Sequence, residues 1–143
     1  MDVPMKKSRQ RQAILQCVLS HHDHPTAEIV YQEVRESYPN ISLGTVYRNL
    51  SLLCRIGKIR RIVHDDHTDR YDGILCPHSH FICLSCGDLQ DVDFHLDENC
   101  FSTFCHDFDG EPTEYAVIFR GYCRDCQKKS SSLRVASTAG DII

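Results

Sequence analysis

An α+β chain in two parts is what these 143 residues predict, and three observations predict it. Three segments between Ser8 and Arg55 carry apolar residues at helical spacing, each preceded by a serine or threonine able to cap it. Two short segments with strand-like alternation follow, joined by a polar turn. Beyond them, two Cys-x-x-Cys pairs, Cys83/Cys86 and Cys123/Cys126, bracket a stretch that mixes strand and helix patterns.

In the first half, Ser8 caps a helix that runs to about Ser20, with Ala13, Ile14, Cys17 and Val18 on one face. His21-His22-Asp23-His24-Pro25 breaks it. Thr26 caps a second helix, Ala27 to about Ser37, with Ile29, Val30 and Val34 facing inward. Tyr38-Pro39-Asn40 ends that helix, because proline disfavours helical backbone in the residue before it. Ser42 caps a third, in which Leu43, Val46, Leu50 and Leu53 form a stripe to be buried. Thr45, Tyr47, Arg48, Asn49 and Arg55 fall largely on other faces, and Gly57 sits where a C-terminal cap is wanted. An alternating strand from Lys58 to His64, the polar turn Asp65–Asp69 and a short strand Arg70-Tyr71-Asp72 complete this half.

Three helices followed by a two-stranded hairpin make a winged helix-turn-helix. Its third helix is expected to enter the major groove of double-stranded DNA, with Arg48 and Asn49 at base edges and Thr45 beside them. Tyr47 would reach a phosphate or a thymine methyl; the alternative for it is a packed aromatic. Arg60 and Arg61 of the hairpin would lie on the phosphate backbone. The net charge of −4 looks wrong for a DNA binder but is unevenly spread: residues 1–82 carry +2 and residues 83–143 carry −6. Between Ser42 and Arg61 there are five basic residues and no acid, which makes a candidate phosphate-binding face.

In the second half, Phe81-Ile82-Cys83 and Leu89 to Phe94 read as strands around the first cysteine knuckle. Leu96 to Phe108 reads as a helix, since Leu96, Cys100, Phe101, Phe104 and Phe108 recur at helical spacing. Asp109-Gly110-Glu111-Pro112 is a turn, and Glu114 to Tyr122 is an apolar strand delivering Cys123 and Cys126. Such a small α/β unit has an exposed strand edge unless a second copy pairs with it. A two-fold homodimer is expected, and it would match a palindromic operator. The expected organisation is a winged-helix domain over 1–72, a hinge over 73–79, an α/β dimerisation and metal-binding domain over 80–127, and a largely disordered tail over 128–143.

Nine cysteines behind a polar, basic N-terminus with no apolar leader argue for reduced thiols and metal binding, and place the chain in the cytoplasm. No apolar run approaches the ~20 residues that span a bilayer, so no membrane association is expected. Two matched knuckles can close a tetrahedral sulfur site, and Cys83, Cys86, Cys123 and Cys126 are assigned a structural zinc. A redox dithiol, the rival reading, needs only one such pair beside a helix N-terminus. A second site centres on His78 and His80, which would share one face of a strand. Asp72, Asp91 and His24 are further potential ligands, and nitrogen and oxygen donors from both halves suit Fe²⁺, Mn²⁺ or Zn²⁺.

These residues together resemble the ferric uptake regulator (Fur) superfamily. The carriers are His24-Pro25-Thr26-Ala27, Ser42 through Leu50, Arg70-Tyr71-Asp72, His78-Ser79-His80 and both Cys-x-x-Cys pairs, over about residues 8–128. The resemblance implies a homodimeric, metal-activated transcriptional repressor whose regulatory ligands are His24, Asp72, His78, His80 and Asp91. Aspartate rather than glutamate at Asp72 and Asp91 is most like the peroxide-regulator (PerR) branch. There, bound Fe²⁺ reacts with H₂O₂, histidines matching His24 and His78 are oxidised, and DNA is released; Mn²⁺ leaves the repressor insensitive. The chain departs from the family in three places. Only seven residues precede Ser8, where members usually carry a further helix. Tyr115 stands where a histidine would serve a third metal site, so none is expected. Cys76 lies beside the histidine pair, either as a hinge cysteine or as a thiolate favouring zinc.

Three other functions compete. An iron- or zinc-uptake repressor belongs to the same superfamily. A zinc-dependent hydrolase would use His78, His80 and an acid around an open metal position, but no general-base motif accompanies them, so no enzyme activity is expected. A hydrolase would also not need the basic stretch 42–61, and the third possibility is a metal-buffering or protein-interaction module without DNA binding.

Overall fold

A computed structural model describes residues 8–64, 66–110 and 115–137, the side chains of 101, 107 and 131–137 excepted. The chain divides into two compact units, Met1–Cys76 and Pro77–Ile143. The fold class is α+β, with helices and two small sheets.

The first unit is built on three capped helices, α1 (Arg9–Ser20), α2 (Ala27–Ser37) and α3 (Leu43–Arg55). The side chains of Ser8, Thr26 and Ser42 accept from the backbone N–H groups of Arg11, Ile29 and Thr45, each satisfying one orphan donor of its helix. Ile14, Val18, Ala27, Val30, Val34, Ile41, Val46, Leu50 and Leu53 form one core with Ile59 and Tyr71. Two expected core positions differ. Ile29 is 37% exposed, because the buried stripe of α2 runs through 27, 30 and 34 and leaves 29 off it. Leu43 is only half-buried at the first turn of α3.

α3 ends on Gly57 in left-handed backbone (φ +67°). The Gly57 N–H donates to Cys54 O at 3.0 Å and the Lys58 N–H to Leu53 O at 2.9 Å, which is the two-bond Schellman closure. That use of Lys58 is why the first wing strand is short: β1 spans Arg60–Ile62, not 58–64. It pairs antiparallel with β2 (Arg70–Asp72), Arg61 opposite Tyr71. In the turn between them, Asp66 accepts the Thr68 N–H at 2.8 Å and pairs with Arg70 at 2.8 Å; Asp65 lies outside the described residues.

In the second unit a three-stranded sheet has the order β4-β3-β5, with β3 (Ser79–Cys83) antiparallel to β4 (Leu89–Val92) and parallel to β5 (Ile118–Gly121). The parallel crossover carries α4 (Glu98–Asp107), which starts two residues later than expected because Asp97 is its cap, accepting the Cys100 N–H at 2.7 Å. The strand expected over 114–122 is confined to β5, and residues 111–114 lie outside the described ones. Few described residues here are fully buried, chiefly Ile82, Cys83 and Leu89 among the apolar ones. Such a core is too small to hold a domain unaided.

The expected tail needs correction. Residues 124–137 form a helix, α5 (Arg124–Ser137), so disorder does not begin at 128; residues 138–143 lie outside the described ones. Its sequence is polar nearly all round and carries no apolar stripe to betray a helix.

Candidate functional site

The sulfur cluster is made by strand register. Cys83 ends β3 opposite Gly121, so the chain leaving β5 delivers Cys123 beside it, and the Cys123 N–H donates to Cys83 Sγ at 3.3 Å. A tight turn returns Cys86: the Gly87 N–H donates to Cys83 O at 2.9 Å, with Gly87 at φ +74°. Cys126 follows on the first turn of α5. The four sulfurs lie within 4.8 Å of one another, and Cys86 Sγ is 3.8 Å from Cys123 Sγ. Zn–S bonds of about 2.3 Å in a tetrahedron require sulfur separations of about 3.8 Å.

The thiols respond to this crowding in opposite directions. Backbone N–H groups of Cys123, Cys86 and Ser85 hold Cys83 down to about 6. For Cys86 the Asp88 N–H pulls downward, but hydrogen bonding with the Cys83 sulfur, burial, and the sulfurs of Cys126 and Cys123 outweigh it and push the thiol up to about 12. One sulfur ionises readily and penalises the next. A divalent cation lifts that penalty, so the donor set fits zinc. None of the nine cysteines is in a disulfide.

A second group lies on the same sheet. The β3–β4 register sets His80 opposite Asp91, and His78, two residues earlier, shares its face. Asp91 Oδ1 lies 3.3 Å from His78 Nε2 and 3.4 Å from His80 Nε2, and the two rings stand 4.6 Å apart, edge to face. Both imidazoles are about nine-tenths buried. Two ring nitrogens converging on one carboxylate oxygen at these separations fit neighbouring ligands of a first-row divalent ion, whose bonds are about 2.0–2.2 Å.

His24 and Asp72 form a corresponding pair in the first unit. The Tyr71 N–H donates to Pro25 O at 3.0 Å, which binds β2 to the turn after α1. A ring nitrogen of His24 and a carboxylate oxygen of Asp72 lie within 4.8 Å of each other, and both residues are buried. Asp72 Oδ1 accepts the Ile74 N–H at 2.7 Å, which orients the carboxylate. His24 sits at φ +56°, a backbone that a non-glycine residue keeps only where its surroundings enforce it.

The ferric uptake regulator family's sequence model matches residues 2–119. The chain belongs to the ferric uptake regulator family. It is 39% identical over 123 residues to the peroxide-responsive repressor PerR of Staphylococcus saprophyticus, covering 84% of this chain and 81% of that one. Among solved structures, the Campylobacter jejuni peroxide stress regulator is 30% identical with a TM-score of 0.67, covering 82% of this chain and 88% of that one. The Helicobacter pylori ferric uptake regulator Fur, described as having three functional metal binding sites, shares the fold at 24% identity and a TM-score of 0.72 over 85% and 82% of the two chains. Membership makes this chain a metal-responsive regulator and sets aside the hydrolase alternative. No helix among the described residues is long and apolar enough to cross a membrane.

In this regulator family member the six expected DNA-facing residues are not alike. Tyr47 is 40% exposed, with its hydroxyl donating to Glu28 Oε1 at 2.7 Å. That bond raises the phenol and lowers the Glu28 carboxyl. Arg48 is exposed and donates to Thr45 Oγ1 at 3.0 Å. Asn49 is half-buried, donating to Thr45 O at 2.9 Å while its Oδ1 accepts from Arg11 Nε at 3.1 Å. Arg61 pairs loosely with Asp69 at 3.4 Å, whereas Arg60 donates to Leu75 O at 2.6 Å. Arg60 and Asn49 thus serve the fold as well as any ligand, a second use that spacing alone did not reveal. A further group was missed altogether: Cys17, His21 and Glu33, whose ligand atoms lie within 4.8 Å of one another across α1 and α2.

Proposed function

We propose that the chain is a homodimeric, metal-dependent transcriptional repressor that binds a palindromic operator and releases it when peroxide oxidises His24 or His78. The observation that carries this reading is the convergence of His78 and His80 on one oxygen of Asp91. Relatives 35–39% identical that are named peroxide-responsive repressors support the branch. The regulatory ligands in this reading are His24, Asp72, His78, His80 and Asp91, and Cys83, Cys86, Cys123 and Cys126 hold structural zinc.

Fe²⁺ in the regulatory set supplies the redox chemistry, with one oxygen added to an imidazole and peroxide leaving as water. The residues do the rest. Asp91 aligns both imidazoles of the second unit, and Asp72 does the same beside His24. Ligands drawn from both units make occupancy favour one arrangement of the DNA-reading surfaces, so metal acts as a population shifter. An oxidised imidazole is a poorer ligand and releases that constraint. On the DNA face, Thr45, Tyr47, Arg48 and Asn49 read the groove, while Arg60 and Arg61 approach the backbone.

Dimerisation follows from what the second unit leaves uncovered. β5 is an edge strand, and Phe119 on it and Tyr122 just after it are 40% and 58% exposed; Phe104 of α4 and Phe108, its C-cap, stack at 5.2 Å and are about half exposed. A second copy covering them would remove both the edge and the apolar area from water.

Retardation of promoter fragments with Fe²⁺, Mn²⁺ or Zn²⁺ supplied, before and after peroxide, tests the reading. Binding should require metal, fall steeply with salt, disappear in Arg48→Ala, and be lost to peroxide only with iron. Retardation that tracks iron or zinc supply but ignores peroxide identifies an uptake repressor instead. No retardation of any fragment with Mn²⁺ present identifies a buffering module.

A further inference from the structure

Cys17 lies in the last turn of α1, and His21 is the extended C-cap residue that follows it. Glu33 meets them from α2. Cys17 Sγ lies 3.3 Å from Glu33 Oε2, and His21 Nε2 lies 2.9 Å from Glu33 Oε1. The other ring nitrogen, His21 Nδ1, lies 2.7 Å from Asp23 Oδ1. Burial opposes a charge on His21, but hydrogen bonds to Asp23 and Glu33 outweigh it and raise the imidazole; once the Nε2 proton is lost and Nδ1 donates to Asp23, the Nε2 lone pair points at the Cys17–Glu33 pair. That is the carboxylate–histidine arrangement by which proteins orient an imidazole towards a metal. With Nε2 in that state, a lone pair faces a carboxylate oxygen at 2.9 Å, and the gap must hold either a proton or a cation.

The geometry points to a zinc-class metal site formed by Cys17, His21 and Glu33, with Asp23 orienting His21. A tetrahedral zinc with bonds of about 2.0–2.3 Å places neighbouring donors about 3.3–3.5 Å apart; the Cys17–Glu33 separation of 3.3 Å matches, and the His21–Glu33 separation of 2.9 Å opens on replacing the proton between them by the ion. One sulfur, one nitrogen and one oxygen donor suit Zn²⁺ and its spectroscopic stand-in Co²⁺ better than Mg²⁺ or Ca²⁺. Three protein ligands leave a fourth position, and a cleft of about 540 Å³ lined by Gln16, Cys17, Glu33 and Glu36 opens the site to water. Binding displaces a proton from His21 and one from the Cys17 thiol, which burial and the neighbouring Glu33 otherwise hold protonated. The ion cross-links α1 to α2 three residues before His24, so its occupancy stiffens the scaffold on which the third helix rests.

The full chain, carrying zinc in its four-cysteine cluster as verified by metal analysis, is titrated with Co²⁺. A sulfur-to-cobalt charge-transfer band should grow to one equivalent per chain. It should vanish in Cys17→Ser, weaken at least tenfold in apparent affinity in His21→Gln, and persist in His78→Ala. In the His78→Ala background, thermal melts with added Zn²⁺ should shift upward, and that shift should be lost when Cys17→Ser is added. A native chain with no band overturns the proposal. So does a band that survives Cys17→Ser, and if that band is lost in Cys83→Ser it belongs to the sulfur cluster. Loss of the band with native-like melting of Cys17→Ser excludes unfolding as its cause.

Discussion

Asp91 and Cys83 differ in role, though one sheet carries both. Cys83 belongs to a cluster in which backbone N–H groups hold its thiol down while the neighbouring sulfurs push Cys86 up, in a unit whose described apolar core is little more than Ile82 and Leu89. Cys83→Ser should therefore release zinc and melt the second unit, seen as loss of helical signal and of one metal equivalent per chain. Asp91→Ala should leave the fold intact and weaken Mn²⁺ binding by roughly 10–100-fold, measured by titration. Asp66 offers a test of the wing. The Thr68 N–H first, and Arg70 after it, hold its carboxyl down to about 2 from an ordinary 3.8. Because the folded value is depressed, its stabilising effect is complete above pH 3.8 and is lost as pH falls through about 2. The stability gap between native chain and Asp66→Asn should shrink over that window, and carboxyl NMR should show Asp66 titrating below the other exposed aspartates.

At the scale of elements, α3 depends on its two ends. Ser42→Ala removes the side-chain acceptor for the Thr45 N–H and should cost about 1 kcal/mol. Gly57→Ala places a side chain at φ +67°, where space is open but the backbone is strained, and should cost about 1–2 kcal/mol, read as a lower denaturant midpoint. Both features were legible in the sequence, because caps and left-handed glycines are local chemistry with local signals. So were the three helices of the first unit, the wing strand β2 and the cysteine knuckles. What the sequence hid depends on tertiary register or on polar periodicity. Ile29 reads as apolar but lies beside the buried stripe, α5 has no stripe to read, and β1 is cut short by a C-cap that claims Lys58. The same division holds at the sites. His80 opposite Asp91 needed only a hairpin, whereas Cys17 and His21 meet Glu33 only because α1 packs on α2; their closeness at the end of α1 was the one visible half of the signal.

For the whole molecule, in the proposed dimer a second copy covers the exposed Phe104, Phe108, Phe119 and Tyr122 and the β5 edge. Sedimentation should show a dimer, and Phe119→Asp should shift it to monomer while leaving the first unit's melting unchanged. A monomeric repressor would lose the paired spacing needed for a two-fold operator. The central claim joins these scales: a metal held by histidines and aspartates makes the dimer competent, and oxidation of one histidine ends that competence. The most direct measurement is peptide mass analysis of the iron-loaded chain after brief peroxide exposure, with operator retardation on the same sample. One oxygen on His24 or His78 together with lost retardation, and neither change in the manganese-loaded chain, is the predicted result. Iron-loaded chain that keeps its operator affinity and gains no oxygen on either histidine would contradict it.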